Sequence, residues 1–125
     1  MASSDYLFMF LSTLKELETK KGSTYGFSVI AKILSGSISK DMIKYKHFDS
    51  YKIGSHMTQS WWILFGKNIL KIPDLLDISI IEIGGGKIVK TYKVGSKGLI
   101  YLKDRVHLDV DLPKFKSKKI PHKKG

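Results

Sequence analysis

The chain has 125 residues, with 22 lysines and arginines against 11 aspartates and glutamates and a formal net charge of +11. That length suits one domain with a modest core, and 42% hydrophobic and 11% aromatic content exclude a wholly disordered chain. The absence of cysteine excludes a disulfide scaffold, a thiolate metal site and a cysteine nucleophile.

In chain order, Asp5 can open a first helix. Leu7, Phe10, Leu11, Leu14 and Leu17 recur at helical spacing, with Lys15, Glu16 and Glu18 outside and Lys20, Lys21 and Gly22 at the end. A second helix starts near Ser28, presents Val29, Ile30, Ile33 and Leu34, and stops at Gly36. Ser35 to Met57 shows no period and reads as a loop with a short helix around Lys40 to Tyr45. Thr58 is a good N-cap for a third helix carrying Trp61, Trp62, Leu64, Phe65, Ile69 and Leu70, closed before Pro73. Two strand-like runs follow, Asp77 to Ile83 and Ile88 to Val94. Gly84, Gly85, Gly86 and Lys87 lie between them, and glycines accept the positive φ of a tight turn. After a turn at Gly95 to Gly98, Leu99, Ile100 and Leu102 are expected to pack a last short helical turn.

Helix, helix, loop, helix, strand, hairpin turn and strand in that order predict an α+β chain with the winged-helix arrangement. That is a helix-turn-helix core extended by a β-hairpin wing, spanning residues 1–112. Residues 113–125 carry six lysines and no acid, and read as a disordered basic tail. Residues 87–103 carry five more lysines and no acid, while the remainder has 11 basic and 11 acidic residues. The net charge therefore sits in the expected wing and tail. It points to an anionic partner such as nucleic acid. No apolar run approaches the roughly 18 residues that a spanning helix needs. The four histidines are scattered, and no P-loop, paired carboxylates or nucleophile–base motif is visible. No cofactor, metal or catalytic site is expected in this chain.

Several segments carry a family likeness. They are Tyr25-Gly26-Phe27, Ile33-Leu34-Ser35-Gly36-Ser37-Ile38-Ser39-Lys40, Tyr51-Lys52-Ile53-Gly54-Ser55-His56-Met57, Thr58-Gln59-Ser60-Trp61-Trp62 and Tyr92-Lys93-Val94-Gly95-Ser96-Lys97-Gly98-Leu99. Together they resemble the RQC domain of RecQ-family DNA helicases, closest to the Werner-helicase branch, over about residues 5 to 104. The resemblance implies a non-catalytic domain that binds double-stranded or forked DNA. The ATPase and zinc subdomains would then lie elsewhere on a longer chain. It also implies work in DNA repair, replication and recombination, in the nucleus of a eukaryote or otherwise inside the cell. A monomer that does not enter membranes is expected.

The expected DNA contacts are Ser37, Ser39 and Lys40 after the Gly36 turn, and Lys52, Ser55 and His56 in the loop that matches the family. Thr58 and Gln59 are expected at the third helix N-terminus, Lys67 farther along it, and Lys87 and Lys90 on the wing. Short hydroxyls, backbone amides and helix N-termini suit phosphate. Each feature also has a plain reading: a solvated turn, a surface loop, or simple capping by Thr58, which can coexist with phosphate contact. Two positions depart from the family. Ser35 stands where it has arginine, and the wing tip Gly84-Gly85-Gly86-Lys87 lacks its aromatic ring. An aromatic stack on a base contributes roughly 1–3 kcal/mol, which glycine cannot supply. This wing is therefore expected to hold the phosphate backbone through Lys87 and Lys90.

Trp61 and Trp62 stand about 100° apart on a helix, so at least one is expected in the core. The alternative to DNA binding is a winged-helix protein-interaction module, in which Trp62 or Phe65 would lie in an exposed apolar patch.

Overall fold

A computed structural model describes residues 3–21, 25–104, 108 and 110–113. Helix α1 (Ser3–Lys21) is followed by α2 (Phe27–Ser35), a 3₁₀ helix (Lys40–Tyr45) and α3 (Gln59–Ile69). Strands β1 (Leu76–Glu82) and β2 (Ile88–Val94) come next, then α4 (Ser96–Asp104). The chain is therefore α+β, with one small antiparallel sheet. Residues 114–125 of the expected tail lie outside the described residues.

The apolar spacing read in the helices is the buried set. Leu7, Phe10, Leu11, Leu14 and Leu17 of α1 meet Ile30, Ile33 and Leu34 of α2 and Trp61, Trp62, Phe65 and Ile69 of α3. Aromatic rings dominate the centre of this core. Phe10 meets Phe27, Trp62 and Phe65 edge-on or tilted, and Trp61 stacks on Phe65 with centroids 5.5 Å apart. Both tryptophans are buried. The angle between neighbouring positions separates them, but α3 is covered on more than one side. Trp61 fits against Tyr6 and Phe65, and Trp62 against Tyr6 and Phe10.

The hairpin runs in register from Leu76 opposite Val94 to Glu82 opposite Ile88. At its tip the Ile83 N–H donates to the Lys87 carbonyl and the Lys87 N–H to the Gly84 carbonyl, both at 3.0 Å. Gly84, Gly85 and Gly86 all take positive φ, which explains the glycine run between two isoleucine-rich strands. At the base, Tyr92 lies flat on Phe27 at 4.0 Å, joining β2 to the start of α2. Tyr25 adds an isolated antiparallel bridge to Tyr92 on the outer edge of β2.

One expectation needs correction. Leu99 and Ile100 do not pack inward: both are exposed, while Gly98 and Tyr101 are buried. The helix rotation is set by backbone bonds from Gly95 to the Leu75 carbonyl and from Lys97 to the Asp74 carbonyl. The Tyr101 hydroxyl then donates to the Ser4 carbonyl of α1. On the hairpin, Ile88 shares a face with Tyr92 and Val94, and unlike them it is exposed. Its end of the hairpin extends past the helices that cover Tyr92 and Val94.

Candidate nucleic-acid interface

Apart from Lys67, the expected contact residues fall into two groups at opposite ends of α2. The first is built at its C-terminus. Gly36 takes φ 77°, and its N–H and that of Ser37 return to the Lys32 carbonyl at 3.1 and 2.9 Å, the glycine-terminated helix stop read in the sequence. A side chain at Gly36 would also run into Lys52, whose Cγ lies 2.6 Å from where a Cβ would stand. The turn after Gly36 and the loop around Lys52 are thereby brought into contact.

That loop bridges two helix ends. The Lys52 and Gly54 N–H groups donate to the Ile33 and Leu34 carbonyls at 2.8 Å each, satisfying the last carbonyls of α2. The Tyr51 hydroxyl donates to the Ser37 carbonyl at 2.8 Å. On its other side the loop rests on α3, where the buried Trp62 Nε1–H donates to the Gly54 carbonyl at 2.9 Å. Gly54 packs so closely on the indole that a Cβ there would collide with Trp62 Cζ2. Thr58 then caps α3, its hydroxyl accepting from the Trp61 N–H at 3.1 Å.

The result is one surface. Ser39, Lys40, Lys52, Ser55 and Gln59 are exposed on it, and Ser37, His56 and Thr58 are half-buried. Lys67, also exposed, lies two turns along α3 from Ser60, beside Gly66, which packs against Phe27 at the start of α2 and not at this surface. The second group lies beyond the other end of α2, a nine-residue helix about 13 Å long. There Lys87 and Lys90 are exposed on the β1–β2 hairpin.

Three features of the first surface were not read from the sequence. Asp41 sits inside the turn, accepts from the Ser39 hydroxyl at 2.7 Å and pairs with Lys32 at 3.6 Å. The Ser39 bond in particular holds the Asp41 carboxyl below its usual range. The Ser39 hydroxyl is thus engaged by an acid within the patch. Lys44 and Lys46 extend the basic surface past Lys40, in a stretch with no periodicity to single them out. The third feature is Glu16, whose carboxylate takes the Asp49 and Ser50 N–H groups at 2.8 and 3.0 Å and Lys20 at 2.8 Å. It ties the loop to α1. Near the base of the hairpin, burial first and then a hydrogen bond with Tyr25 push the Tyr45 phenol up to about 12. That phenol stays protonated at neutral pH.

Glu16 gives a testable pH dependence. Burial works to raise its carboxyl, but the bonds from Lys20, Asp49 and Ser50 together outweigh it and hold the group below its ordinary value. A depressed carboxylate contributes stability that is complete above the unfolded pKa and lost as pH falls through the folded one. Glu16→Gln should cost about 2 kcal/mol at neutral pH, the worth of hydrogen bonds to a charged group. In urea unfolding the cost should shrink between about pH 7 and about pH 3. Equal losses at both pH values would mean that the carboxylate is not the anchor.

Among the described residues no group of histidine and acidic side chains is placed to hold a metal ion. None of the described helices is long and apolar enough to cross a membrane. No family model matches the chain, and no curated protein matches it.

Proposed function

We propose that this chain is a winged-helix, RQC-type domain that binds duplex or forked DNA as a non-catalytic part of a RecQ-type helicase. The order of elements supports the winged-helix reading, with Tyr25 adding a minimal third strand where the chain passes from α1 to α2. One observation carries the DNA reading. The Gly36–Ser37 turn, the loop at Lys52 and the α3 N-terminus, apart in sequence, are tied into one exposed, lysine-bearing surface by the bonds through Ile33, Leu34 and Trp62. Hydroxyls, lysines and the first N–H groups of an 11-residue helix are groups that hold phosphate. The aromatic residues that a docking module would expose are buried, Trp62 and Phe65 completely.

The test is equilibrium binding to blunt duplex, fork and single strand across a salt series. Binding to none of them at low salt would overturn the reading. The wing has its own test. Lys87→Ala with Lys90→Ala should weaken binding to every sequence alike, because phosphate contacts carry no base information. Unchanged affinity would remove the wing from the interface.

A further inference from the structure

The outer half of the hairpin presents isoleucine on both faces. Ile78, Ile80 and Ile88 share one face and Ile81 and Ile83 the other. They are 52%, 67%, 63%, 42% and 57% exposed. Among the described residues β1 is also an edge strand, with β2 as its only strand neighbour. Gly95 donates to the Leu75 carbonyl and Ile83 to the Lys87 carbonyl. Odd-numbered residues of β1 therefore exchange backbone bonds with β2, and the N–H and C=O groups of Ile78, Ile80 and Glu82 face outward along the edge. Natural sheets blunt such an edge with a central charge, a proline or a bulge. The run Ile78-Ser79-Ile80-Ile81 has none of these.

We propose that β1 pairs with β1 of a second copy of this chain, antiparallel about a twofold axis through Ile80, to make one four-stranded sheet. This does not depend on the DNA reading. The register follows from the backbone. With Ile80 opposite Ile80, Ile78 falls opposite the second copy's Glu82, so the outward groups of Ile78, Ile80 and Glu82 meet their like on the other strand. Side-chain faces match as well, with Ser79 beside the second copy's Ile81 and Asp77 beside its Ile83.

The charges also fit. No like charges come directly opposite. Asp77 shares a row and a face with the second copy's Lys87, two strand spacings or about 9–10 Å away with only Ile83 between them, a span that the long lysine stem shortens. A pairing without a twofold would leave the same edge open on the next copy and grow without limit, whereas the twofold closes it. The short seam puts the contact in the small class of transient interfaces, below about 1,200 Å² in total. Each copy carries +11, so salt should strengthen this pairing while it weakens any binding to phosphate.

The 125-residue chain has no cysteine, which permits a clean crosslinking test on it. Residues opposite each other in a bonded antiparallel pair have Cα atoms about 5.5 Å apart, inside the disulfide range of roughly 4.4–6.8 Å. Under mild oxidation Ile80→Cys should convert to a covalent dimer, and Ile88→Cys, equally exposed but two strands from the axis, should remain monomeric. Sedimentation of the unaltered chain should shift from monomer mass toward twice that value as protein and salt concentrations rise. Ile80→Lys should hold it at monomer mass with an unchanged circular dichroism spectrum. Equal crosslinking at both positions, crosslinking at neither, species larger than dimers, or monomer mass throughout would each overturn the proposal. None of these results depends on whether DNA binds.

Discussion

Raising salt from about 50 to about 200 mM should weaken binding of this chain to duplex DNA roughly 500-fold. The figure comes from five exposed lysines on the proposed surfaces: Lys40, Lys52, Lys67, Lys87 and Lys90. Each lysine seated on a phosphate releases about 0.9 of a counterion, so five give a slope near −4.5 in a plot of log affinity against log salt. A fourfold change in salt raised to that power gives the loss. Engagement of Lys44 and Lys46 would steepen the slope to about −6. Removing both Lys87 and Lys90 should flatten it by about 1.8, and removing Lys67 by about 0.9. Fluorescence anisotropy of a labelled duplex over the salt series measures all three. A slope shallower than about −2 for the unaltered chain would mean that lysine–phosphate contact does not lead the interaction.

These expectations rest on a layout that was only partly legible in the sequence. Local chemistry was readable because it acts over a few residues. The 3.6-residue apolar period marked α1, α2 and α3, the hydroxyl of Thr58 marked the start of α3, and Gly36 marked the end of α2. The glycine run placed the hairpin turn, and the second strand runs from Ile88 to Val94 as read. What was hidden depends on partners distant in sequence. Glu16 looked like a solvent-facing residue of α1, and its role appears only when Asp49 and Ser50 come against it. Gly54 looked like loop punctuation, yet it is required by the indole that crosses it. The isoleucines of the hairpin gave the opposite difficulty. Apolar character on both faces reads as a strand covered on both sides, but a two-stranded ribbon that passes beyond its helices has nothing to cover it. Asp41 shows the same limit at the surface. An acid among serines and lysines is ordinary in a sequence, and only its bond to Ser39 shows that it competes for the donors of the patch.

Trp62→Ala should cost about 3–5 kcal/mol, the largest loss expected from any single truncation here. The side chain is fully buried, touches rings of Tyr6, Phe10, Trp61 and Phe65, and holds the Gly54 carbonyl. A loss of this size follows for any buried tryptophan, so the informative comparison is with Gly54. Gly54→Ala puts a methyl group against Trp62 Cζ2 and should cost about 1–3 kcal/mol as an overpacking change. Trp62→Phe keeps a ring in the core, removes the N–H donor and withdraws the atoms that Gly54 touches. The Gly54 carbonyl retains the Met57 N–H at 3.0 Å, so the lost bond should be worth only about 1 kcal/mol. With the indole gone, Gly54→Ala has room. The double variant should therefore be less damaging than the two single losses added together, by about 1 kcal/mol or more of coupling. Urea unfolding of the four proteins measures that coupling. The same four, compared for DNA affinity under conditions where all are folded, separate stability from function. Gly54→Ala displaces the loop that carries Lys52 and Ser55 and should weaken binding, and adding Trp62→Phe should recover part of it. Strict additivity in stability would show that Gly54 and Trp62 do not meet as described. Affinity that tracks neither variant would show that the loop is no part of the DNA surface.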